Sequence, residues 1–468
     1  MDEQGIIEKV KSEGQDHVLN YLDELSVEQR QSLLGQLAKV DFEKVNELAS
    51  LIGQEEEEID FDRVEPAPVE KLMDKDSPGE QRAVQAGEQA LRDDRVACVT
   101  VAGGQGTRLK YDAPKGTYPI TPVRGKSLFQ VHAEKIRGIR RRYGCRLPWF
   151  IMTSYENHED TQEFFAEHDF FGLGAESVHF FPQQMNPILD EHGHLLLEEK
   201  DSLLAGPDGH GGIFEALVVS GMCELLSEGG WDLLSYFQVD NPLVNVADPR
   251  FLGHHVQHEA EFSCKVIPKR DPYEGLGIAV LRDNHPAVIE YIDVPPDVAE
   301  ERDESGQLRY LYGSIAIHIM NTDFVQRMAR EGVQLPWHVA EKNYKSICPH
   351  GTDDRPQERT CYKFEQFIFE SLPEASGCAF VETDRGKEFA PVKNAEGEDS
   401  PATARARMQR LWAEWLAMAG HDLRTHDGDP DRKIEISPLF ADGPQELEQN
   451  LPADWEPSHP VVLEPDGE

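Results

Sequence analysis

The chain has 468 residues, 39% hydrophobic and 8% aromatic, which is enough for a large buried core and a multidomain protein. Its 46 basic against 87 acidic residues leave a net charge of -41, which excludes general nucleic-acid binding through a basic surface. A mean hydropathy of -0.54 and the lack of any apolar run of about 18 residues exclude a membrane-spanning helix.

The start, Met1-Asp2-Glu3-Gln4, is acidic where a secretory signal needs a basic and then an apolar stretch. Seven scattered cysteines without a CxxC pair fit neither a zinc ribbon nor a disulfide framework. A cytoplasmic protein with no nucleic-acid or membrane partner is expected, acting as a monomer or weak homo-oligomer. The acidic field repels anions, so a phosphate ligand must be met by local cations and backbone N–H groups.

Residues 1–92 read as a helical N-terminal region. Val10, Val18, Leu19, Leu22 and Leu25 recur at helical spacing, as do Leu33, Leu34, Leu37, Val40 and Val45. The run Glu55-Glu56-Glu57-Glu58 and the segment Pro66-Ala67-Pro68 read as a solvated connector, followed by a helix over 79–92. The character then changes: 96–102 is a continuous β-prone apolar run, the mark of a strand buried on both faces. Further strands are predicted at 148–153, 178–181, 233–239, 263–267 and 277–281, with helices over 127–142, 159–167 and 212–226 between them. Such alternation predicts an α/β domain over 93–385, with a Rossmann-like, mostly parallel mixed sheet and helices on both faces. A small C-terminal domain, 386–468, holds one helix over 402–420 bearing Trp412 and Trp415, then short strand-like pieces.

The segment Val101-Ala102-Gly103-Gly104-Gln105-Gly106-Thr107-Arg108-Leu109 directly follows the first buried strand. Its glycines let backbone N–H groups approach phosphate oxygens, Arg108 adds a forked cation, and Lys115 follows in Pro114-Lys115-Gly116. A dinucleotide fingerprint fails because Leu109 stands where a small third residue is needed, and a P-loop ending at Gly125-Lys126-Ser127 would need a glycine at Ile120.

Strand, Gly-Gly-x-Gly-Thr-Arg-Leu and Pro-Lys-Gly together resemble the signature of nucleotidyltransferases that make nucleoside-diphosphate sugars. The detail closely resembles one branch, the eukaryotic-type UDP-N-acetylglucosamine pyrophosphorylases, within the UDP-sugar pyrophosphorylase family. It continues through Pro207-Asp208-Gly209-His210-Gly211-Gly212, Val239-Asp240-Asn241, Val288-Ile289-Glu290-Tyr291, Lys363-Phe364-Glu365 and Pro391-Val392-Lys393-Asn394-Ala395, in order. The resemblance implies a nucleotide-diphospho-sugar transferase fold and a Mg²⁺-dependent uridylyltransferase that joins UTP to a sugar 1-phosphate, most similar to enzymes acting on N-acetylglucosamine 1-phosphate. Other sugar 1-phosphates (glucose, galactose, N-acetylgalactosamine) and a non-catalytic UDP-sugar-binding protein are the alternatives.

On the resemblance, Ala102, Gly103, Gly104, Gly106 and Thr107 form the nucleotide loop. Arg108 and Lys115 face the departing pyrophosphate, and Lys393 and Lys363 contact phosphates. Gln183 reads uracil, Gly209 touches uridine, and Asp240 serves the nucleotide and Mg²⁺. His210, Glu290 and Ser314 fall on the sugar side. The departures lie there too: His210 and Ser314 stand where the family has asparagines, as does Ile317. A shorter hydroxyl cannot span the gap an amide bridges.

His254, His255 and His258 have helical metal-site spacing. Without a matching acidic or cysteine partner in the sequence, a surface helix is the expected reading.

Overall fold

The computed structural model describes residues 2–54, 58–73, 77–330, 333, 335–347, 355–423 and 433–465. The chain divides into two compact units, each discontinuous in sequence. The larger comprises Asp60–Pro182, Phe214–Val333 and Ser371–Glu468; the smaller comprises Met1–Ile59, Gln183–Ile213 and Gln334–Glu370.

The larger unit is built on an 11-stranded sheet whose main path runs Val69–Glu70, Cys378–Glu382, Phe262–Pro268, Tyr312–Asn321, Leu233–Gln238, Val96–Val101, Trp149–Thr153, Val178–Pro182. Every neighbour on this path is parallel except Tyr312–Asn321, which is antiparallel to both strands beside it. The continuous apolar runs become the central strands because a parallel strand covered on both faces has no side to give to water. Val96, Ala97, Cys98 and Val99 are accordingly buried, and Val96 to Val101 pair in register with Leu233 to Gln238. Parallel pairing brings the C-terminal ends of these two strands side by side, where the glycine turn and Asp240 emerge.

All six strands read from the apolar runs are present. Tyr312–Asn321 and Cys378–Glu382 were not among them. Pro66-Ala67-Pro68 is in part a correction: Pro66 ends the strand Val64–Pro66, which pairs antiparallel with Ile278–Arg282, and the Ala67 N–H donates to Ala279 O at 3.3 Å. Pro66 is tolerated because a short edge position leaves the missing N–H without consequence. Of the acidic run, residues 55–57 lie outside the described residues.

Capping fixes the helices. Ser127 accepts the Gln130 N–H to start Leu128–Tyr143, which stops at Gly144 (φ +69°). Ser400 and Thr403 form a reciprocal cap for Pro401–Met418, on which Trp412 is buried and Trp415 partly so. The helix expected over 212–226 breaks at Gly221 (φ +74°) into Ile213–Val219 and Met222–Gly229. Pro78–Arg92 crosses Pro249–Gln257 at very close range, since a Cβ on Gly87 would fall 1.9 Å from Pro249 O and one on Gly253 would fall 1.7 Å from Ala83 O. Near the C-terminus, Ile434–Ile436 pairs parallel with Val461–Leu463.

In the smaller unit, helices Glu3–Ser12, Val27–Leu37 and Phe42–Leu51 bury Val10, Leu33, Leu37, Val45 and Leu48 against Leu189, Leu195, Leu197, Ile347 and Phe364. Gln15 fastens them to the 183–213 segment, donating to Gly193 O at 3.2 Å and accepting the Leu195 N–H at 2.8 Å. The N-terminal 92 residues are thus not one helical region: residues 2–54 belong to this unit, while Val64–Pro66, Val69–Glu70 and the Pro78–Arg92 helix belong to the other.

Candidate active site

In the larger unit the Val96–Val101 strand runs into buried Ala102 and the turn Gly103-Gly104-Gln105-Gly106. Gly106 donates to Ala113 O (3.1 Å), and Gly104 O accepts the Lys115 N–H (3.1 Å), so the glycine turn and Pro114-Lys115-Gly116 form one folded unit. Asn157, fully buried, donates its amide to Ala102 O at 3.0 Å and accepts the Ser154 N–H at 2.9 Å. It thereby ties the turn to the end of Trp149–Thr153. Thr107 and Arg108 lie exposed on the short 3₁₀ turn Thr107–Leu109.

Lys115 reaches across to the neighbouring strand end, where its Nζ lies 3.2 Å from Asp240 Oδ2, both side chains largely buried. Asp240 follows the strand Leu233–Gln238, and its carbonyl accepts the Val392 N–H at 2.9 Å. Asn241 next to it donates to Glu388 O (2.7 Å) and accepts from Ala390 N–H (3.0 Å), which fixes the segment that delivers Lys393. The loop closes on the glycine turn through the Ala395 N–H, which donates to Arg108 O at 3.1 Å. The Lys393 N–H donates to Asp399 O at 2.6 Å. Burial raises the Asp399 carboxyl above its ordinary range, while Lys393 and Arg407 pull it back down. Gly103 to Arg108, Lys115, Asp240 and Lys393, scattered over almost 300 residues of sequence, therefore meet at one end of the sheet.

Beneath the 388–393 segment lies a group that the sequence reading did not single out. Lys265, fully buried, places its Nζ 2.7 Å from Asp248 and 2.5 Å from Glu388, and Thr383 also donates to Glu388. Burial works against its charge, but the two carboxylates outweigh it and hold Lys265 above the ordinary lysine range. A lysine inside Phe262-Ser263-Cys264-Lys265-Val266-Ile267 was the available signal.

The sugar-side candidates of this unit form a second cluster. The Ser314 N–H donates to Gly277 O at 2.8 Å, and Glu290 Oε1 lies 3.5 Å from the position a Cβ on Gly277 would take. Between Cys264 and Val266 the pairing register shifts opposite His318 and Ser314, and Ala316 turns to φ +54°. Such a bulge re-aims side chains near functional sites, and Ser314 stands at its border.

The smaller unit holds Gln183, Gly209, His210 and Lys363. Gly209 (φ +87°) admits no side chain, because a Cβ would lie 2.4 Å from Gln366 O. Asp208 O accepts the Gln366 N–H (2.8 Å) and Gly211 N–H donates to Gln366 O (2.8 Å), so the loop is stitched to the strand Gln357–Glu365 just past its end. Buried Gln183 directly precedes Gln184, whose carbonyl accepts the Asp208 N–H at 3.2 Å. Lys363 Nζ pairs with Glu365 at 2.7 Å, and its Cε lies 3.2 Å from where a Cβ on Gly206 would be.

His210 Nδ1 accepts the Ile368 N–H at 3.0 Å, which leaves the proton on Nε2, and its ring stacks on Phe367 (5.3 Å, 28°). Burial lowers its pKa to about 4, so the imidazole is neutral near pH 7.

Of the three helix histidines, the surface reading holds only for His258. His254 and His255 are buried, and His255 is satisfied by Ser263 (2.8 Å) and Asn321 (3.0 Å).

A doubly wound sheet with a glycine turn at one strand end and a Lys–Asp pair bridging to the next defines a nucleotide-handling α/β transferase. Residues 41–411 match the UTP–glucose-1-phosphate uridylyltransferase family. The chain is 34% identical to UDP-N-acetylglucosamine diphosphorylase 2 of Arabidopsis thaliana, covering 95% of this chain and 91% of that protein. It is also 34% identical to the UDP-N-acetylglucosamine pyrophosphorylase of Saccharomyces cerevisiae, over 77% and 78%. The crystal structure of the Trypanosoma brucei uridine diphosphate N-acetylglucosamine pyrophosphorylase superposes with a TM-score of 0.84 at 28% identity, covering 100% of this chain and 99% of that one. The UDP-glucose pyrophosphorylase of Leishmania major (17% identity, TM-score 0.58) shares the fold. The chain belongs to the UTP–glucose-1-phosphate uridylyltransferase family. Nucleotidyltransferases of this kind generally depend on a divalent cation.

Proposed function

We propose that this chain transfers the uridylyl group of UTP to N-acetylglucosamine 1-phosphate, giving UDP-N-acetylglucosamine and pyrophosphate, with Mg²⁺ as the metal. The observation that supports it most is the convergence of the glycine turn, Lys115, Asp240 and the Lys393 segment at one end of the sheet.

A phosphate oxygen of the sugar phosphate forms the new bond to the α-phosphorus of UTP. The bond from that phosphorus to the α,β-bridging oxygen breaks, and its electron pair leaves with pyrophosphate. No protein nucleophile is required, so the chain's contribution is positioning and charge neutralisation. The turn from Ala102 to Thr107 presents N–H groups to the triphosphate, Arg108 and Lys115 stabilise the leaving pyrophosphate, and Lys393 holds the reacting phosphates. Gln183 and Gly209 recognise uridine, and Lys363, exchanging Glu365 for phosphate, contributes a further cation.

A single buried carboxylate suits Mg²⁺, which takes few protein ligands and lets substrate phosphates complete its octahedron. Asp240 meets that description and would hold the ion, which would neutralise phosphate charge. Glu290 and Ser314 address the sugar hydroxyls and acetamide, and neutral His210 offers an Nε2–H donor where relatives in the resemblance carry an amide. The free thiols of Cys98, Cys145, Cys223, Cys264, Cys361 and Cys378 accord with reaction in the cytoplasm.

Pyrophosphate release from UTP and Mg²⁺ against N-acetylglucosamine, N-acetylgalactosamine, glucose and galactose 1-phosphates tests the reading. N-acetylglucosamine 1-phosphate should give the highest kcat/KM. A glucose preference would refute the sugar assignment, and silence with all four would refute the reaction.

A further inference from the structure

The helix Pro249–Gln257 carries His254 and, at its C-cap, His258, one turn apart on the same face. The strand Val69–Glu70 brings Glu70 to that face. The structure thus supplies the acidic partner that the linear sequence concealed behind some 180 intervening residues. His258 Nε2 lies 3.2 Å from Glu70 Oε1, and one ligand atom from each of Glu70, His254 and His258 lies within 4.8 Å of the other two. We propose that these three side chains form a binding site for a divalent transition-metal ion of the Zn²⁺ type, separate from the Mg²⁺ chemistry of the Lys115–Asp240 end of the sheet.

Two imidazoles and one carboxylate are the donor set of Zn²⁺, Co²⁺ and Ni²⁺, whereas Mg²⁺ prefers oxygen alone. Tetrahedral coordination with bonds of 2.0–2.1 Å puts neighbouring ligand atoms about 3.4 Å apart. The His258–Glu70 distance already meets that, and closing 4.8 Å takes side-chain rotations of about 1 Å rather than backbone movement. A fourth position stays open for water.

The geometry is held in advance. His254 is 7% exposed, and its Nε2 lies 3.3 Å from Glu80, which is in turn paired with Arg250 at 2.5 Å. A carboxylate on one imidazole nitrogen fixes the ring orientation in metal sites, and with Nε2 held by Glu80 the ion would take His254 Nδ1. The helix itself is fixed by its close crossing with Pro78–Arg92. His255 takes no part, since both its nitrogens are occupied.

The ion would act as a staple. Val69–Glu70 is a two-residue edge strand paired parallel with Cys378–Glu382 through Phe380 and Val381, the minimum of sheet pairing. Metal bonds from Glu70 to two histidines of the helix would fasten that strand to the body of the unit.

The test is Co²⁺ titration of chelator-treated full-length protein, with millimolar Mg²⁺ present throughout to occupy oxygen-only sites. The expected result is one equivalent bound with the visible absorption of a four-coordinate site, displaced by Zn²⁺. Both His258→Ala and Glu70→Gln should weaken Co²⁺ at least tenfold while leaving pyrophosphate release at its wild-type rate. Both residues are substantially exposed, so folding should be retained, and circular dichroism checks it. Zn²⁺ should also raise the thermal midpoint of the wild type and not of either variant. Binding that is equally tight in both variants, or no uptake of one equivalent by the wild type, would overturn the proposal.

Discussion

Replacing Lys265 by methionine is expected to do more damage than any exposed charge in this chain. Its ammonium, with no solvent exposure, is the shared partner of Asp248 and Glu388, and both carboxylates are themselves about nine-tenths buried. Methionine fits the volume but leaves two acids facing one another in a dry site. Removing one partner of a buried pair costs about 3–5 kcal/mol, mostly as the uncompensated charge left behind.

Asp248 keeps the Arg250 N–H (3.0 Å) and Glu388 keeps Thr383, so the lower half of that range, about 3–4 kcal/mol, is expected. Urea denaturation followed by tryptophan fluorescence, with Lys265→Met compared at an unchanged m-value, measures the loss. The triple change Lys265→Met, Asp248→Asn, Glu388→Gln should recover at least half of it, because no buried charge then remains. Since Glu388 O holds Asn241 and the segment leading to Lys393, the single variant should also raise the KM for UTP. A loss below about 1 kcal/mol, or a triple variant worse than the single, would refute the argument.

Three further outcomes are expected. His210 has a folded-state pKa of about 4, below the unfolded value near 6.5, so the unfolded chain binds the proton first and stability falls as pH drops through that window; His210→Asn should lose this component in pH-dependent denaturation. Gly253→Ala should destabilise the larger unit by about 1–3 kcal/mol in the same assay, since the new Cβ would overlap Ala83 O and force the two helices apart. Ser314→Asn should raise the ratio of kcat/KM for N-acetylglucosamine 1-phosphate over glucose 1-phosphate by about tenfold, measured by pyrophosphate release, if the longer amide reaches the acetamide.

The central strands were legible in the sequence because continuous burial leaves a one-dimensional mark, and the glycine turn because strand, glycines and cations are adjacent in the chain. Asp240 could be nominated only by resemblance, since 125 residues separate it from Lys115 and the parallel pairing of two strands brings them together. Lys265 carried a local signal, a charge inside an apolar strand, but its two carboxylate partners lie elsewhere in the chain; Asn157 carried none. The Asn157 amide bonds to Ala102 O, 55 residues away, and nothing local distinguishes such an asparagine from a solvated one. Pro66-Ala67-Pro68 was misread in part because prolines signal turns, and only the edge beside Ile278–Arg282 makes Pro66 the end of a strand. The helix histidines show the limit most plainly, because spacing places them on a helix but cannot say which face meets the core.

Uridylyl transfer as proposed passes the α-phosphorus of UTP to the sugar phosphate with Lys115, Asp240 and Lys393 around it. The most direct measurement follows α-phosphorus-labelled UTP with N-acetylglucosamine 1-phosphate and Mg²⁺ in the wild type and in Lys115→Ala. Label is expected in UDP-N-acetylglucosamine at one equivalent per pyrophosphate released, with a rate at least a hundredfold lower, roughly 3 kcal/mol of transition-state stabilisation, in the variant. Label appearing as UMP or UDP, or undiminished turnover in Lys115→Ala, would contradict it.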